Sequence, residues 1–123
     1  LQKKQIYINN FGNHYRDFTH ITYVTNVIFS LVIKAKKQKK DFFEIFNIGS
    51  SKPIKIMKIV GHIQDILGTK AKIKFRIKQK GDVHGTYANS KSIKKFTKIK
   101  NEVSIKEGLM EFINWYKEYF KIK

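Results

Sequence analysis

Between Lys70 and Lys80 the chain alternates without exception. Lys70, Lys72, Lys74, Arg76, Lys78 and Lys80 fall on one side, and Ala71, Ile73, Phe75 and Ile77 on the other. A period of two marks an extended strand with one face on a core. The charged side has two readings: a cationic face for an anion, or an edge whose lysines stop other strands from adding to it. We read it as an edge strand. It runs into Gln79-Lys80-Gly81-Asp82-Val83-His84-Gly85-Thr86-Tyr87-Ala88-Asn89, which holds glycines at 81 and 85, an aromatic residue expected to be buried, and one acid. Such glycines permit backbone shapes closed to other residues and let a ligand come close. Asp82 can accept hydrogen bonds from a ligand's hydroxyl or N–H groups, or bond its own main chain as Gly-Asp turns commonly do. These residues alone leave both uses open.

The rest of the chain predicts a mixed α/β fold in one modest domain, 1–123. Ile6 and Ile8 form a short strand ending at the turn cluster Asn9-Asn10-Phe11-Gly12-Asn13. Arg16 lies where a loop enters a helix. It can clamp a phosphate or carboxylate through two parallel hydrogen bonds, or pair with Asp17 or another surface acid. Ile21, Val24, Val27, Ile28, Leu31 and Val32 have helical spacing over His20 to Lys36, with Thr19 as the expected N-cap. Phe42 to Ile48, apolar on both faces, predicts an inner strand stopped by Gly49-Ser50-Ser51. Ser51 is then expected to cap a helix with Pro53 in its first turn, inward-facing Met57, Val60, Ile63 and Leu67, and Gly68 just past its end. Ser90 or Ser92 opens a short helix carrying Ile93 and Phe96. Ser104-Ile105-Lys106-Glu107 is a capping box for a last helix, with the stripe Ile105, Leu109, Phe112, Ile113, Tyr116 and Phe120.

The formal charge of +17 would ordinarily suggest nucleic acid or a membrane surface. Yet 24 of the 26 basic residues are lysine and only Arg16 and Arg76 are arginine, whereas base and phosphate readers favour the arginine fork. The lysines accompany heavy Ile, Asn and Phe use along the whole length, which argues for compositional drift rather than a nucleic-acid patch. There is no cysteine, so disulfides and thiolate metal sites are excluded. The longest apolar run, Val27 to Ile33, is broken by Ser30 and too short to span a bilayer. His14 and His20 do not have a metal-ligand spacing. Without an initiating Met or a leader pattern, the chain reads as an excerpt of a cytoplasmic protein.

Four motifs in order resemble one family. They are Tyr15-Arg16-Asp17-Phe18-Thr19, then Phe46-Asn47-Ile48-Gly49, then Gln79-Lys80-Gly81-Asp82-Val83 with Tyr87-Ala88, then Glu107-Gly108 with Trp115-Tyr116. Together they resemble the C-terminal part of the extended short-chain dehydrogenase/reductases. The branch they are most similar to is that of NAD-dependent nucleotide-sugar epimerases of the UDP-glucuronate 4-epimerase kind, enzymes of capsule and surface polysaccharide synthesis. The resemblance covers about Lys4 to Phe120. It implies an α/β substrate-binding portion without the dinucleotide-binding half. It further implies that Arg16 binds the diphosphate of a UDP-sugar and that Asp82 contacts the nucleoside, with Gln79 beside it. Tyr7, Ile8 and Asn9 would run along the uracil.

The departures carry information too. The family pattern continues Tyr-Ile-Asp-Asp after the Thr, and here His20-Ile21-Thr22-Tyr23 has neither acid. Where Tyr-Ala-Asp is usual, Tyr87-Ala88-Asn89 stands. No Gly-rich dinucleotide fingerprint follows a first strand, so no cofactor is expected in this chain, and NAD is implied only for the complete enzyme. The catalytic Tyr-x-x-x-Lys pair is likewise expected to be absent, leaving no catalytic residue here. The resemblance therefore implies UDP-sugar as ligand and a dinucleotide-binding part located elsewhere, on another chain or a missing segment. A degenerate inactive remnant and a small basic polyanion-binding module are the alternative readings.

Overall fold

A computed structural model describes residues 4–38, 43–100 and 103–122. In chain order these form β1 (Ile6–Ile8), a tight turn (Asn9–Gly12), β2 (Tyr15–Arg16), α1 (Ile21–Ala35), β3 (Ile54–Lys55), α2 (Ile56–Leu67), β4 (Ile73–Phe75), α3 (Lys91–Thr97) and α4 (Ile105–Tyr119). The strands make two separate ribbons. In one, β1 and β4 run parallel with Ile6 opposite Ile73 and Ile8 opposite Phe75. In the other, β2 and β3 are antiparallel, with Tyr15 opposite Lys55 and Arg16 opposite Ile54. Gly12 closes the turn after β1 at φ +75°, and an added Cβ would lie 2.5 Å from Met57 Cγ, so glycine is required twice over.

The helices pack in pairs, α1 with α3 and α2 with α4. The main cluster joins Tyr23 and Val27 of α1 to Ile93 of α3, with Leu31, Phe46, Ile48 and Ile99 packed around it. α4 begins with the expected capping box: the Ser104 hydroxyl accepts from the Glu107 N–H, and the Glu107 carboxylate accepts from the Ser104 N–H. Hydrogen bonds to Ser104 hold the Glu107 carboxyl below its usual range. Gly68 closes α2 in the left-handed region at φ +62°.

Several expectations fail, each for a local reason. Residues 43–48 form no strand, and Phe42 lies outside the described residues. Strands are fixed by a neighbour, and among the described residues none runs beside this segment; Phe46 and Ile48 still pack on the core, while Phe43 is 90% and Ile45 80% exposed. α2 starts at Ile56 rather than at Pro53 and has no side-chain cap. Ser51 sits at φ +60° and spends its hydroxyl on the Ala88 carbonyl instead. Thr19 does not cap α1; His20 occupies that position, and the Thr19 hydroxyl accepts from the Ser50 N–H. On α1, Ile21, Ile28 and Val32 face outward, and Tyr23 joins Val27 as a buried position. On α2, Ile59 is the buried residue, and Met57, Val60, Ile63 and Leu67 are half-buried. On α4 only Ile113 is buried, and Phe112 and Phe120 are more than half exposed. The alternating stretch forms a strand over Ile73–Phe75 only.

Candidate functional site

β2 is two residues long, and the Gly-Asp stretch holds it from the other side. The Tyr15 N–H donates to the His84 carbonyl at 2.9 Å, and the Thr86 N–H donates to the Tyr15 carbonyl at 3.2 Å. Tyr15 thus bridges to Gly85 in parallel. Just upstream, the Asp82 N–H donates to the Gln79 carbonyl at 3.2 Å, closing a turn with Gly81 at φ +84°. A side chain resists that value, which accounts for the glycine. The pairing sets Asp82 against residues 14 and 16.

Arg16 Nη2 donates to Asp82 Oδ1 at 2.6 Å, and Nη1 donates to the carbonyls of Tyr15 at 2.8 Å and Val83 at 3.1 Å. His14 Nε2 lies 2.9 Å from Asp82 Oδ2. Each oxygen of the carboxylate therefore has its own partner. The side chains are 25% (Arg16), 22% (Asp82) and 10% (His14) exposed, so solvent or a ligand reaches the arginine while the imidazole is enclosed. A guanidinium has five N–H donors in a fixed fork. The bonds of Arg16 among the described residues engage three, which leaves two for an outside acceptor.

Asp17 points the other way and does not pair with Arg16. It accepts from the Ser50 hydroxyl and, at 3.0 Å each, from the N–H groups of Ser51 and Ala88. Its own N–H donates to the Thr86 hydroxyl at 3.1 Å. The Ser90 hydroxyl donates to the Gly49 carbonyl at 2.9 Å, and Lys94 Nζ lies 3.3 Å from both the Ser50 carbonyl and Ser51 Oγ. A Cβ on Gly49 would lie 2.3 Å from that of Ala88, so the Ala88 methyl packs directly on the Gly49 backbone. Burial pushes the Asp17 carboxyl up, but the Ser50 hydroxyl and the N–H groups of Ala88, Ser51 and Lys52 outweigh it and hold the group below 3.8. An open cavity of about 340 Å³ lies beside this knot, lined by Asp17, Thr19, Asn47, Thr86, Tyr87 and Asn89 among others.

Of the other sequence-picked residues, Gln79 adjoins the cluster through its backbone and Tyr7, Ile8 and Asn9 lie apart from it. Gln79 is exposed at the start of the Asp82 turn. Tyr7 is 51% exposed on β1, with the Arg76 guanidinium 3.5 Å from its ring centre. The Ile8 side chain is buried, and its carbonyl accepts from the Arg76 N–H at 2.8 Å. Asn9 is half-buried in the turn. No hydrogen bond joins these three to Arg16 or Asp82 among the described residues, and they belong to the other ribbon. Tyr87, expected inside, is 62% exposed.

No family model matches the chain. Among curated proteins, 44% identity over 96% of this chain links it to an uncharacterised protein of Methanocaldococcus jannaschii. Protein CapI of Staphylococcus aureus is 32% identical over 98% of the chain, and the UDP-glucuronate 4-epimerase of Thermodesulfobacterium geofontis is 35% identical over 98%. The same architecture recurs in MoeE5 solved with UDP-glucuronic acid and NAD, at TM-score 0.84 and 20% identity over 97% of this chain and 38% of that one. It recurs in the UDP-glucuronic acid 4-epimerase of Bacillus cereus solved with the same two ligands, at TM-score 0.83 and 24% identity over 96% and 37%. The chain matches the C-terminal part of the extended short-chain dehydrogenase/reductase epimerases. It spans between 35% and 40% of the length of these curated relatives.

Against the epimerase pattern one sequence expectation needs correction. The spacing Tyr-x-x-x-Lys does occur, at Tyr87 to Lys91 and at Tyr119 to Lys123. Two side chains four residues apart share a face only on one continuous helix. Tyr87 lies in irregular chain before α3 and Lys91 is that helix's first residue. Tyr119 is the last residue of α4, and Lys123 lies outside the described residues. Neither spacing is therefore placed on a helix as a pair.

Sequence reasoning missed two members of the site region. His14 was considered only for metal spacing and Asp17 only as a partner for Arg16. Neither has a local signal: the partners of Asp17 lie 33, 34 and 71 residues away, and two of them act through main-chain N–H groups.

Proposed function

We propose that this chain supplies the UDP-sugar side of a nucleotide-sugar epimerase of the UDP-glucuronate 4-epimerase kind. Arg16 takes the diphosphate and Asp82 the nucleoside. The observation that carries the reading is the Arg16–Asp82 pair, drawn together from 66 residues apart, with two guanidinium donors to spare. A diphosphate is the acceptor that fits such a fork, since two charge-assisted bonds fix its position as well as its charge. Asp82, already held on both oxygens, presents its remaining lone pairs to hydroxyl or N–H donors. Gln79, at the mouth of the same turn, sits where it can join the nucleoside contact. Tyr7, Ile8 and Asn9 would contribute main-chain and ring surface once the ligand spans both ribbons.

NAD in the complete enzyme supplies the hydride chemistry at the sugar. The described residues of this chain do not fit its pyrophosphate: their helices begin after His20, Lys55, Ser90 and Ser104, and none of these follows a glycine-rich loop. A dinucleotide-binding part elsewhere would have to provide that loop and the proton-abstracting pair. Turnover of a UDP-sugar by this chain alone is therefore not expected.

The test compares UDP with pyrophosphate by calorimetry at physiological salt, because the +17 field draws any polyanion. Arg16→Lys is expected to weaken UDP binding about tenfold, since a point charge cannot reproduce the fork. Lys74→Ala should change it by less than about twofold. Equal losses would reduce the site to unspecific charge. An inactive remnant is the second reading, favoured by Tyr23: it stands where the family pattern has an acid, is 3% exposed, and its buried hydroxyl has no partner among the described residues. Failure of UDP to outcompete pyrophosphate would favour that reading.

A further inference from the structure

His14 is absent from every role discussed so far, yet it is the most enclosed member of the Arg16 cluster. Its residue is 8% exposed, against a half-buried Arg16 and Asp82. Its carbonyl accepts from the Ile56 N–H at 3.0 Å, which ties its backbone to the start of α2. Its Nε2 reaches Asp82 Oδ2 at 2.9 Å, and its Nδ1 is buried with no partner among the described residues. A carboxylate only accepts, so Nε2 carries the proton of this contact.

The geometry of Asp82 makes this contact consequential. With only Arg16 to bind, the carboxylate could rotate about its last torsion and offer Arg16 either oxygen, or neither. His14 takes Oδ2 from a fixed, enclosed position and so assigns Oδ1 to Arg16. Arg16 Nη2 is pinned in turn, with Nη1 on the Tyr15 and Val83 carbonyls, so both terminal nitrogens of the guanidinium are held. Ordering a long side chain before the ligand arrives removes a cost otherwise borne on binding.

We propose that His14 is a positioning residue that orders the Arg16–Asp82 pair for a nucleoside diphosphate. It touches no ligand and acts through Asp82. This inference rests on the diphosphate reading of Arg16 given above.

The test uses UDP with the full 123-residue chain and two substitutions at the position. His14→Leu removes the donor while keeping bulk, and is expected to weaken UDP binding about tenfold, the loss of one charge-assisted hydrogen bond. His14→Gln keeps an N–H donor near the place of Nε2 and should restore most of that loss, a rescue that a purely space-filling role would not give. A nitrogen-15 spectrum of the side chains adds a readout that needs no ligand: separate Arg16 Nη signals in the wild type, because their partners hinder rotation of those groups, merged in His14→Leu and recovered in His14→Gln. If Arg16→Lys weakens UDP binding while His14→Leu does not, the positioning role is overturned and the site stands. If neither weakens binding, the diphosphate reading itself fails, and an Arg16 signal unchanged in His14→Leu overturns the positioning role as well. Should His14→Leu not fold, wild-type Arg16 Nη signals as averaged as those of exposed Arg76 overturn it alone.

Discussion

The Asp17 carboxylate receives hydrogen bonds from the Ser50 hydroxyl and from the N–H groups of Ser51 and Ala88, and so joins three segments distant in sequence. Removing it would leave those two N–H groups without their acceptor, and Asp17→Ala is expected to cost about 2–3 kcal/mol, read as a lower urea midpoint. The same bonds fix the sign of the pH dependence. Burial raises the carboxyl's pKa, the Ser50, Ala88, Ser51 and Lys52 donors together lower it by more, and the net native value lies below the ordinary 3.8. A depressed native pKa means the unfolded chain binds the proton first, so the stabilisation is fully present above about pH 4 and lost as pH falls through the native value. Urea midpoints measured from pH 6 down to pH 3 should fall in the wild type and fall less in Asp17→Ala; parallel curves would remove Asp17 from this role. Nothing in the Arg-Asp dipeptide announces such a knot. Adjacent opposite charges suggest a pair, whereas alternate side chains of an extended segment point to opposite sides, and this sends Arg16 toward Asp82 and Asp17 toward Ser50.

Elements whose ends are set by nearby residues were legible, and those set by distant partners were not. The capping box of α4 needs only Ser104 and Glu107, three residues apart, and both of its hydrogen bonds form. Gly68 closes α2 because only the local backbone decides a left-handed residue. Ser51 carried the same kind of cap signal, but its hydroxyl is taken by Ala88, 37 residues away, and the helix starts later. No strand forms over 43–48 for a related reason, since a ladder needs a neighbour and none lies there among the described residues. In the site, Asp82 stood out through its glycines and Arg16 through its motif, while His14 had no local mark at all. Ser104→Ala should therefore cost about 1 kcal/mol, a loss confined to the α4 end. Amide exchange should speed up over residues 105–108 and stay unchanged in α1 and α3. Exchange rising equally in all helices would mean that α4 and the core open as one unit.

At the scale of the molecule, several large apolar side chains stand almost fully in solvent. Phe43, Ile45, Phe29, Ile77 and Ile21 are 90%, 80%, 70%, 78% and 66% exposed. Phe29 and Ile21 lie on α1, and Phe43 and Ile45 lie in the segment expected as an inner strand. Large apolar side chains exposed to this degree are an association hazard where they adjoin. The chain spans about a third of the length of its relatives, which is consistent with further protein covering that surface. Opposing association is the +17 charge, which repels like copies over about a Debye length, roughly 8 Å at physiological ionic strength. The two effects separate with salt. In low salt the purified chain should stay dispersed yet bind an apolar dye; as salt rises and the repulsion is screened, light scattering should show self-association. Ile45→Lys and Phe29→Lys, at positions already exposed, should reduce both dye binding and association without lowering the thermal midpoint. A monodisperse monomer at high salt, with a sharp cooperative melt and no dye binding, would show that the surface is closed in a way these exposures do not allow.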